Sequence, residues 1–122
     1  MQKNILNSKE MMASDVFFKY LKTEWETVDD KIQRQIVGFD DNVMMVNVRF
    51  EKGGVEPLHN HPHSQVTHIS EGRFEVTIGD ETTILEKGDS FHIPSEVFHG
   101  VVCLEAGMLV DVFSPMREDF LK

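Results

Sequence analysis

Residues 59–65 read His59-Asn60-His61-Pro62-His63-Ser64-Gln65, and a lone His99 follows about one barrel turn later. In a β-strand, residues two apart point to the same face, so His59 and His61 face one interior together, with Asn60 turned away. A small β-barrel would therefore aim several imidazoles and one side-chain amide at a single point. Imidazole nitrogens and amide oxygens bind divalent metals, so the spacing predicts a mononuclear metal site.

Four side chains are the predicted ligands of this metal: His59, His61, Gln65 and His99. The alternative is that the histidines are surface residues or hydrogen-bonded core residues, but three imidazoles packed together without a metal would bury polar nitrogens unfavourably. His63 adjoins a proline turn and His68 has the opposite strand parity to Gln65, so neither is expected to bind the metal. The ion is expected to be Ni, Zn, Fe or Mn.

Short β-like runs surround this stretch from Trp25 onward, and they alternate with turn residues. The turns are predicted at Lys52-Gly53-Gly54, Glu71-Gly72, Gly79-Asp80, Lys87-Gly88-Asp89 and Ala106-Gly107. Regular short strands without helical segments between them predict an all-β fold, either an antiparallel sandwich or a closed barrel. Residues 1–22 have an uneven apolar pattern that fits a short helix or an added strand. The sequence thus predicts an N-terminal appendage over 1–22 and a barrel over 23–122.

The composition limits the partners of this fold. With 122 residues and 40% hydrophobic content, the chain is expected to form one compact domain. A net charge of −9 and a pI near 5.0 argue against nucleic acids and anionic membranes, which need clustered Lys and Arg. The single cysteine, Cys103, cannot form an internal disulfide, and no signal peptide or membrane span is evident. We therefore expect a cytoplasmic protein with a small-molecule partner.

The last β-like run supplies a second chemical cluster. Asp111 and Phe113 share one strand parity, so a carboxylate lies near the metal if this face is the interior one. A buried Asp beside a cation is a candidate proton carrier. Arg117 follows the proline that ends the run and is a candidate clamp for a substrate carboxylate. From the residues alone, a solvent-facing Asp111 and a surface Arg117 are equally good interpretations.

Two spaced motifs in these residues resemble those of the cupins. The first is carried by Gly53, His59, His61, Gln65 and Gly72, and the second by Gly88, Pro94, Glu96, His99 and Cys103. The resemblance implies a double-stranded β-helix barrel, which is an antiparallel jelly roll. Gln65, Glu96 and Cys103 depart from the usual Glu, Gly and Asn. An amide in place of a carboxylate leaves the ion its full charge, which favours a Lewis acid over a redox centre.

Within the cupins, the chain is similar to the pectin-degradation group of the KdgF family. The similarity runs from about Trp25 to Leu121, through His61-Pro62-His63-Ser64-Gln65 and the ending Asp111-Val112-Phe113-Ser114-Pro115 with Arg117. It implies an isomerase-type enzyme that ketonises 4,5-unsaturated monouronates from pectin or alginate breakdown. Its metal ligands would be His59, His61, Gln65 and His99, and its catalytic residues Asp111, Phe113 and Arg117.

Two other functions stay open at this point. One is a metal-dependent cupin dioxygenase, and the other is a cupin that binds or senses a sugar acid without transforming it. The lack of a helix-turn-helix pattern or basic segment argues against a DNA-binding sensor. Small antiparallel barrels leave apolar faces and edge strands that a symmetric partner can cover, so a homodimer is expected, with Phe17-Phe18 as one possible cover.

Overall fold

The computed structural model describes the backbone of residues 3–5 and the whole of residues 12–122. The rest of the predicted appendage, residues 1, 2 and 6–11, lies outside this described part. The strands are β1 Lys3–Ile5, β2 Met12–Ser14, β3 Glu26–Asp29, β4 Ile32–Asp40, β5 Val43–Phe50, β6 Val55–His59, β7 Ser64–Ile78, β8 Glu81–Glu86, β9 Ser90–Ile93 and β10 His99–Ser114. Two short 3₁₀ helices cover Tyr20–Lys22 and Glu118–Leu121.

All neighbouring strands pair antiparallel, which confirms the predicted all-β jelly-roll barrel. The main path of the sheet is β1-β2-β4-β5-β10-β7-β8, with β3 beside β4, β6 beside β10 and β9 beside β7. No α-helix occurs in residues 12–122. Within the same residues, no helix is long and apolar enough to cross a membrane.

Strands β7 and β10 are long, and each contributes to both halves of the barrel. The first part of β7 pairs with β9 and the second part with β8. The first part of β10 pairs with β6 and the second part with β5. The prediction of turns at Glu71-Gly72 and Ala106-Gly107 is therefore wrong, since both strands run through these dipeptides. The turns at Gly53-Gly54, Gly79-Asp80 and Gly88 are confirmed.

The two mispredicted dipeptides are bends at which β7 and β10 cross in close contact. Gly72 has a φ of +89°, and the β7–β10 register shifts at this level. A Cβ on Gly72 would lie 2.7 Å from the Gly107 Cα, and a Cβ on Gly107 would overlap the Glu71 carbonyl. Glycine is needed at both positions because the two backbones approach closely. Glycine is also typical of turns, so the sequence does not distinguish a bend within a strand from a turn between strands.

The core lies between the two halves of the barrel and is apolar at the end away from the histidines. Alternate residues of β5 point inward, and Phe50 packs edge to face on Phe74 with ring centroids 5.2 Å apart. Burying such side chains is the main favourable contribution to the stability of the barrel. The fully buried residues include Met44, Val46, Ile69, Phe74 and Ile93.

The segment before β3 is tied to the barrel by hydrogen bonds. The buried Gln35 donates to the carbonyl oxygens of Tyr20 at 2.9 Å and Thr23 at 3.0 Å. The Ser14 hydroxyl accepts from the backbone N–H of Phe39 at 2.9 Å. These contacts fix the path of residues 12–23 along β4, while the division into an appendage and a barrel at residue 22 stays a prediction.

Candidate metal centre

Three imidazoles meet at one end of the barrel. His59 is the last residue of β6 and His99 the first of β10, and the two are paired in register. His61 lies two residues beyond β6, in the turn before β7, so the sequence argument that placed it on the same strand is wrong. One ring nitrogen from each of the three histidines lies within 4.8 Å of the others. The turn, and not strand alternation, brings His61 to His59 and His99.

The backbone holds each of the three rings by its Nδ1 atom. The nearest acceptors are carbonyl oxygens, at 2.8 Å from Pro57 to His59, 3.0 Å from His63 to His61, and 2.9 Å from Val97 to His99. A carbonyl oxygen only accepts, so each neutral ring donates from Nδ1 and keeps the lone pair on Nε2. Three Nε2 lone pairs are thereby set to face one point, the arrangement that a metal ion needs.

Burial favours the neutral form of two of these imidazoles. It lowers the pKa of His99 to about 4, although the Val97 carbonyl acts in the opposite direction. Burial also lowers the pKa of His61, and the nearby Arg117 charge adds to the effect. The Nε2 atom of His99 is buried without a hydrogen-bond partner. Because a buried unpaired nitrogen is costly and neutral imidazole is the ligating form, the cluster fits a divalent transition metal.

Gln65, at the start of β7, brings an amide oxygen to the same point. Its Nε2 donates to the Thr67 hydroxyl at 2.9 Å and to the Asp111 carboxylate at 3.3 Å, and this sets the orientation of the buried amide. Its Oε1 then lies 3.0 Å from the His61 Nε2. With His61 neutral, these two atoms are both acceptors, and a shared cation removes the repulsion between them. The amide oxygen is thus placed to complete the donor set.

Asp111 lies on the interior face of β10, beside this amide. It is buried together with Phe113, whereas Val112 between them is exposed, so the interior alternative for this face is the correct one. The Thr67 hydroxyl donates to its carboxylate at 2.6 Å. Burial raises the pKa of Asp111 to about 7, helped by the charge of Glu56, while the Thr67 hydrogen bond acts against the shift.

Arg117 follows β10 and lies over the open end of the barrel. Its guanidinium is 5.0 Å from the Phe113 ring centroid and 4.2 Å from that of Phe120. Asp119 accepts two hydrogen bonds from it, one from Nε at 3.1 Å and one from Nη2 at 2.9 Å. This pair orients the guanidinium, and Arg117 is one of the residues that line the cavity described below. The interpretation of Arg117 as a free surface cation does not hold.

A cavity of about 280 Å³ lies beside the cluster and is lined by one of its imidazoles, that of His59. Phe113, Phe120, Val28 and Val48 give it apolar walls. Its polar and charged lining residues are Asp29, Arg34, Glu56, His59, Gln65, Asp111 and Arg117. A space of this size with a few convergent polar groups suits a small organic ligand.

Glu56 is a lining residue that the sequence analysis missed. It is three residues from His59, so regular alternation on β6 would point the two side chains to opposite faces. The register of β6 against β10 shifts between His99 and Val101, where Glu56 pairs with Val101 and His59 with His99. This irregularity adds one residue to β6, and both side chains reach the same cavity. Pro57, which lies within β6, fits such a bulge, because proline in a sheet is confined to edges and bulges.

Of the two histidines that were weighed and not predicted to bind the metal, His68 lies apart from the cluster and His63 packs against it. His68 is exposed on β7, with its Nδ1 3.1 Å from the Ser90 hydroxyl. His63 contacts the rings of His61 and Phe113, at centroid distances of 5.4 and 6.5 Å. It supplies the backbone carbonyl that holds the His61 ring.

Glu96 stands where the cupin motif has glycine, and it connects the two motif loops. Its φ is +67°, a left-handed conformation that non-glycine residues rarely adopt. Its backbone N–H donates to the His61 carbonyl at 2.8 Å, and its own carbonyl accepts from the Asn60 side chain at 3.2 Å. These bonds fix the turn that carries His61, so the departure from glycine leaves the position of that imidazole intact.

The sequence matches a known protein family and a known protein. The cupin domain model matches residues 46–113. The chain is 44% identical to pectin degradation protein KdgF of Dickeya dadantii over 102 residues, which is 82% of this chain and 93% of that protein.

Two solved structures are similar over nearly their full length. An RmlC-like cupin from Shewanella frigidimarina superposes with a TM-score of 0.87 and 42% identity, covering 88% of this chain and 97% of that one. KdgF from a Halomonas species superposes with a TM-score of 0.84 and 37% identity, covering 88% of this chain and 99% of that one. Both pairs share the barrel and a substantial part of the sequence.

Proposed function

The chain belongs to the cupin family, in the group of small single-domain cupins that includes KdgF, and from this we propose that it is a metal-dependent isomerase of unsaturated sugar acids. Its substrates would be 4,5-unsaturated monouronates released when pectin or alginate is cut by lyases. The observation that carries the proposal is a cluster of three oriented imidazoles at the edge of a cavity that His59, a buried carboxylate and a guanidinium line together. The similarity to proteins of pectin degradation supports the choice of substrate.

The proposed ligands are His59, His61, Gln65 and His99. When bound, a divalent ion would supply Lewis-acid chemistry, drawing electron density from a substrate oxygen. The neutral donor set leaves the charge of such an ion uncompensated, which supports a Lewis acid more than a redox centre.

The other side chains would bind the substrate and move its proton. Arg117 would hold the uronate carboxylate through the donors that Asp119 leaves free, and its attachment to Asp119 limits the loss of side-chain entropy on binding. Asp111 would deliver a proton to the ring carbon that becomes a CH₂ group, with Thr67 and Gln65 holding the carboxyl in place. Phe113 would form the floor of the cavity and keep water from the reacting atoms.

The test is the loss of the ultraviolet absorbance of the conjugated C=C bond, with unsaturated monomers made by pectin lyase and alginate lyase. We expect a loss faster than the spontaneous reaction that stops on chelation and returns when metal is added. Asp111→Asn should keep its metal and lose about 100-fold or more in kcat, since a side-chain amide cannot transfer the proton. Equal rates for Asp111→Asn and wild type would remove Asp111 from the mechanism. No acceleration by the metal-loaded protein would overturn the proposed reaction, and oxygen uptake would then test a dioxygenase.

The expected location and assembly remain proposals as well. We propose that the protein is cytoplasmic, which the buried, unpaired Cys103 supports. We also propose that it is a homodimer, which the exposed apolar residues near the N-terminus support. Val16, Phe17 and Leu21 expose 84%, 89% and 91% of their surface, and a second copy of the chain is the proposed cover.

A further inference from the structure

A second carboxylate faces the cavity and has no role in the mechanism above. Glu56 lies on β6 and is only partly exposed, and it lines the same space as Asp111 and Arg117. Within residues 12–122, no side chain or backbone group donates a hydrogen bond to its carboxylate. The carboxylate oxygens are therefore free to accept a hydrogen bond or a proton from a ligand in the cavity.

The two carboxylates come from different halves of the barrel. Glu56 belongs to the half formed by β6 and the first part of β10, where it pairs with Val101. Asp111 belongs to the half formed by β5 and the second part of β10, where it pairs with Val46 and with Thr67 of β7. Both line the same cavity of about 280 Å³, so one small molecule can contact the two carboxylates. The cavity therefore presents two carboxylates from separate walls.

The proposed reaction needs proton transfer at two places on the substrate. In a 4,5-unsaturated uronate, the anomeric hydroxyl is on C1 and the carbon that gains hydrogen is C4, and these positions lie opposite one another in the six-membered ring. One carboxylate fixed at C4 by Thr67 and Gln65 is poorly placed to reach the hydroxyl on C1. A second proton-accepting group on another wall meets this need.

We propose, on the basis of this proposed function, that Glu56 is a second catalytic residue, the base that removes the proton from the anomeric hydroxyl. As the O–H bond breaks, a C=O bond forms at C1, and the bond from C1 to the ring oxygen breaks with its electron pair on that oxygen. The resulting enolate becomes a C=O group at C5 as C4 takes a proton from Asp111. Glu56 then holds the proton of the anomeric hydroxyl, the proton of Asp111 is on C4, and exchange with water restores both carboxyl groups. No oxidant or reductant is consumed, and the product is an isomer of the substrate.

The test is the steady-state kinetics of Glu56→Gln with the unsaturated monouronate and the metal-loaded protein. Glutamine keeps the size of the side chain and its hydrogen-bonding capacity but cannot accept the proton. We expect kcat to fall about 100-fold or more, with KM changed by less than about threefold. Glu56→Asp, which keeps a carboxylate on a shorter chain, should retain more activity than Glu56→Gln. Glu81→Gln, an exposed change on β8, serves as the matched control and should leave both constants unchanged.

A second measurement separates proton transfer from a purely structural effect. We expect added formate to restore part of the activity of Glu56→Ala and none of that of Glu56→Gln, because only the smaller side chain leaves room for an external base. Calorimetric binding of galacturonate, which has the hydroxyls but not the C=C bond, should be within about threefold of wild type for Glu56→Gln.

The outcomes distinguish this inference from the proposed function. Wild-type acceleration together with an unchanged kcat for Glu56→Gln would overturn the role of Glu56 and leave the isomerase intact. A raised KM with an unchanged kcat would make Glu56 a binding residue and would overturn its role as a base. If the wild-type protein does not accelerate the reaction, the proposed function fails and the role of Glu56 fails with it.

Discussion

At the scale of single residues, backbone carbonyl oxygens set the orientation of the three imidazoles that form the site. The Nδ1 atoms of His59, His61 and His99 all donate to main-chain oxygens, so Nε2 is the free nitrogen of each ring. Each of the three acceptor carbonyls belongs to a residue two positions away in sequence. The orientation therefore depends on the local backbone and not on distant side chains.

Removal of the metal is expected to destabilise the protein, because an ion that binds only the folded state adds to its stability. At a free metal concentration of 100 times Kd the gain is about 2.7 kcal/mol. We expect chelation to lower Tm and His99→Ala to abolish the metal-dependent part of Tm, as measured by thermal unfolding with and without Ni²⁺ or Zn²⁺. The control is His68→Ala, which removes an exposed histidine and should keep the full metal effect. An undiminished metal effect in His99→Ala would exclude this residue as a ligand.

At the scale of the elements, two irregularities in the strands place the functional groups. The crossing at Gly72 and Gly107 lets β7 and β10 serve both halves of the barrel. The shift of β6 against β10 brings Glu56 to the side of His59. Regular strands with the same residues would leave the carboxylate on the outer surface.

Gly107→Ala is expected to destabilise the barrel by about 3 kcal/mol or more, because its Cβ would overlap the backbone of Glu71. Backbone cannot move aside as the end of a flexible side chain can. Gly88→Ala is the matched comparison, since Gly88 has a φ of +95° but no atom within 4 Å of the added carbon. It should cost only about 1–2 kcal/mol, from backbone strain. Urea denaturation of both variants measures the difference, and equal costs would show that the crossing tolerates a side chain.

At the scale of the whole molecule, two carboxyl groups and one guanidinium, those of Glu56, Asp111 and Arg117, line one cavity of an acidic barrel. Burial raises the pKa of Glu56 to about 7, and the charge of Arg117 acts in the opposite direction. The pKa of Asp111 is raised to about 7 as well. The folded protein thus retains protons on both groups at pH values where the unfolded chain has released them.

The apo protein is expected to lose stability from Glu56 as the pH rises from about 4.5 to about 7. Because the pKa of Glu56 is higher in the folded protein, its contribution to stability is fully present below the pKa of the unfolded chain. That contribution is lost as the pH rises through the pKa of the folded protein. One pKa unit corresponds to about 1.4 kcal/mol, so Glu56→Gln should gain on the order of 2 kcal/mol over wild type between pH 5 and pH 8. The measurement is the free energy of unfolding at both pH values after chelation. A constant difference between the two proteins would contradict the raised pKa.

The lowered pKa values of His61 and His99 act in the opposite direction within the same molecule. They favour the folded state above about pH 6.5 and disfavour it as the pH falls. Because both proteins contain these histidines, the comparison between wild type and Glu56→Gln cancels most of their contribution.

The proposed homodimer makes a separate prediction about the exposed residues near the N-terminus. Phe17→Asp should convert a dimer to a monomer, since it places a charge on the proposed cover between two copies. Light scattering coupled to gel filtration gives the mass directly. Thr82→Asp on β8 is an exposed control that should leave the mass unchanged. A monomeric wild-type protein would end the proposal.

The sequence left the face of Asp111 open but by itself determined the all-β barrel and the histidine cluster. These follow from short-range rules, because alternation, turn residues and ligand spacing are written in consecutive residues. Only the tertiary structure decided that β7 and β10 pass through Gly72 and Gly107, that His61 reaches the cluster from a turn, and that Glu56 shares the cavity. Each of these depends on how one strand lies against another. A glycine or a proline in a strand is compatible with a crossing or a bulge, but it does not identify the partner strand that sets the geometry.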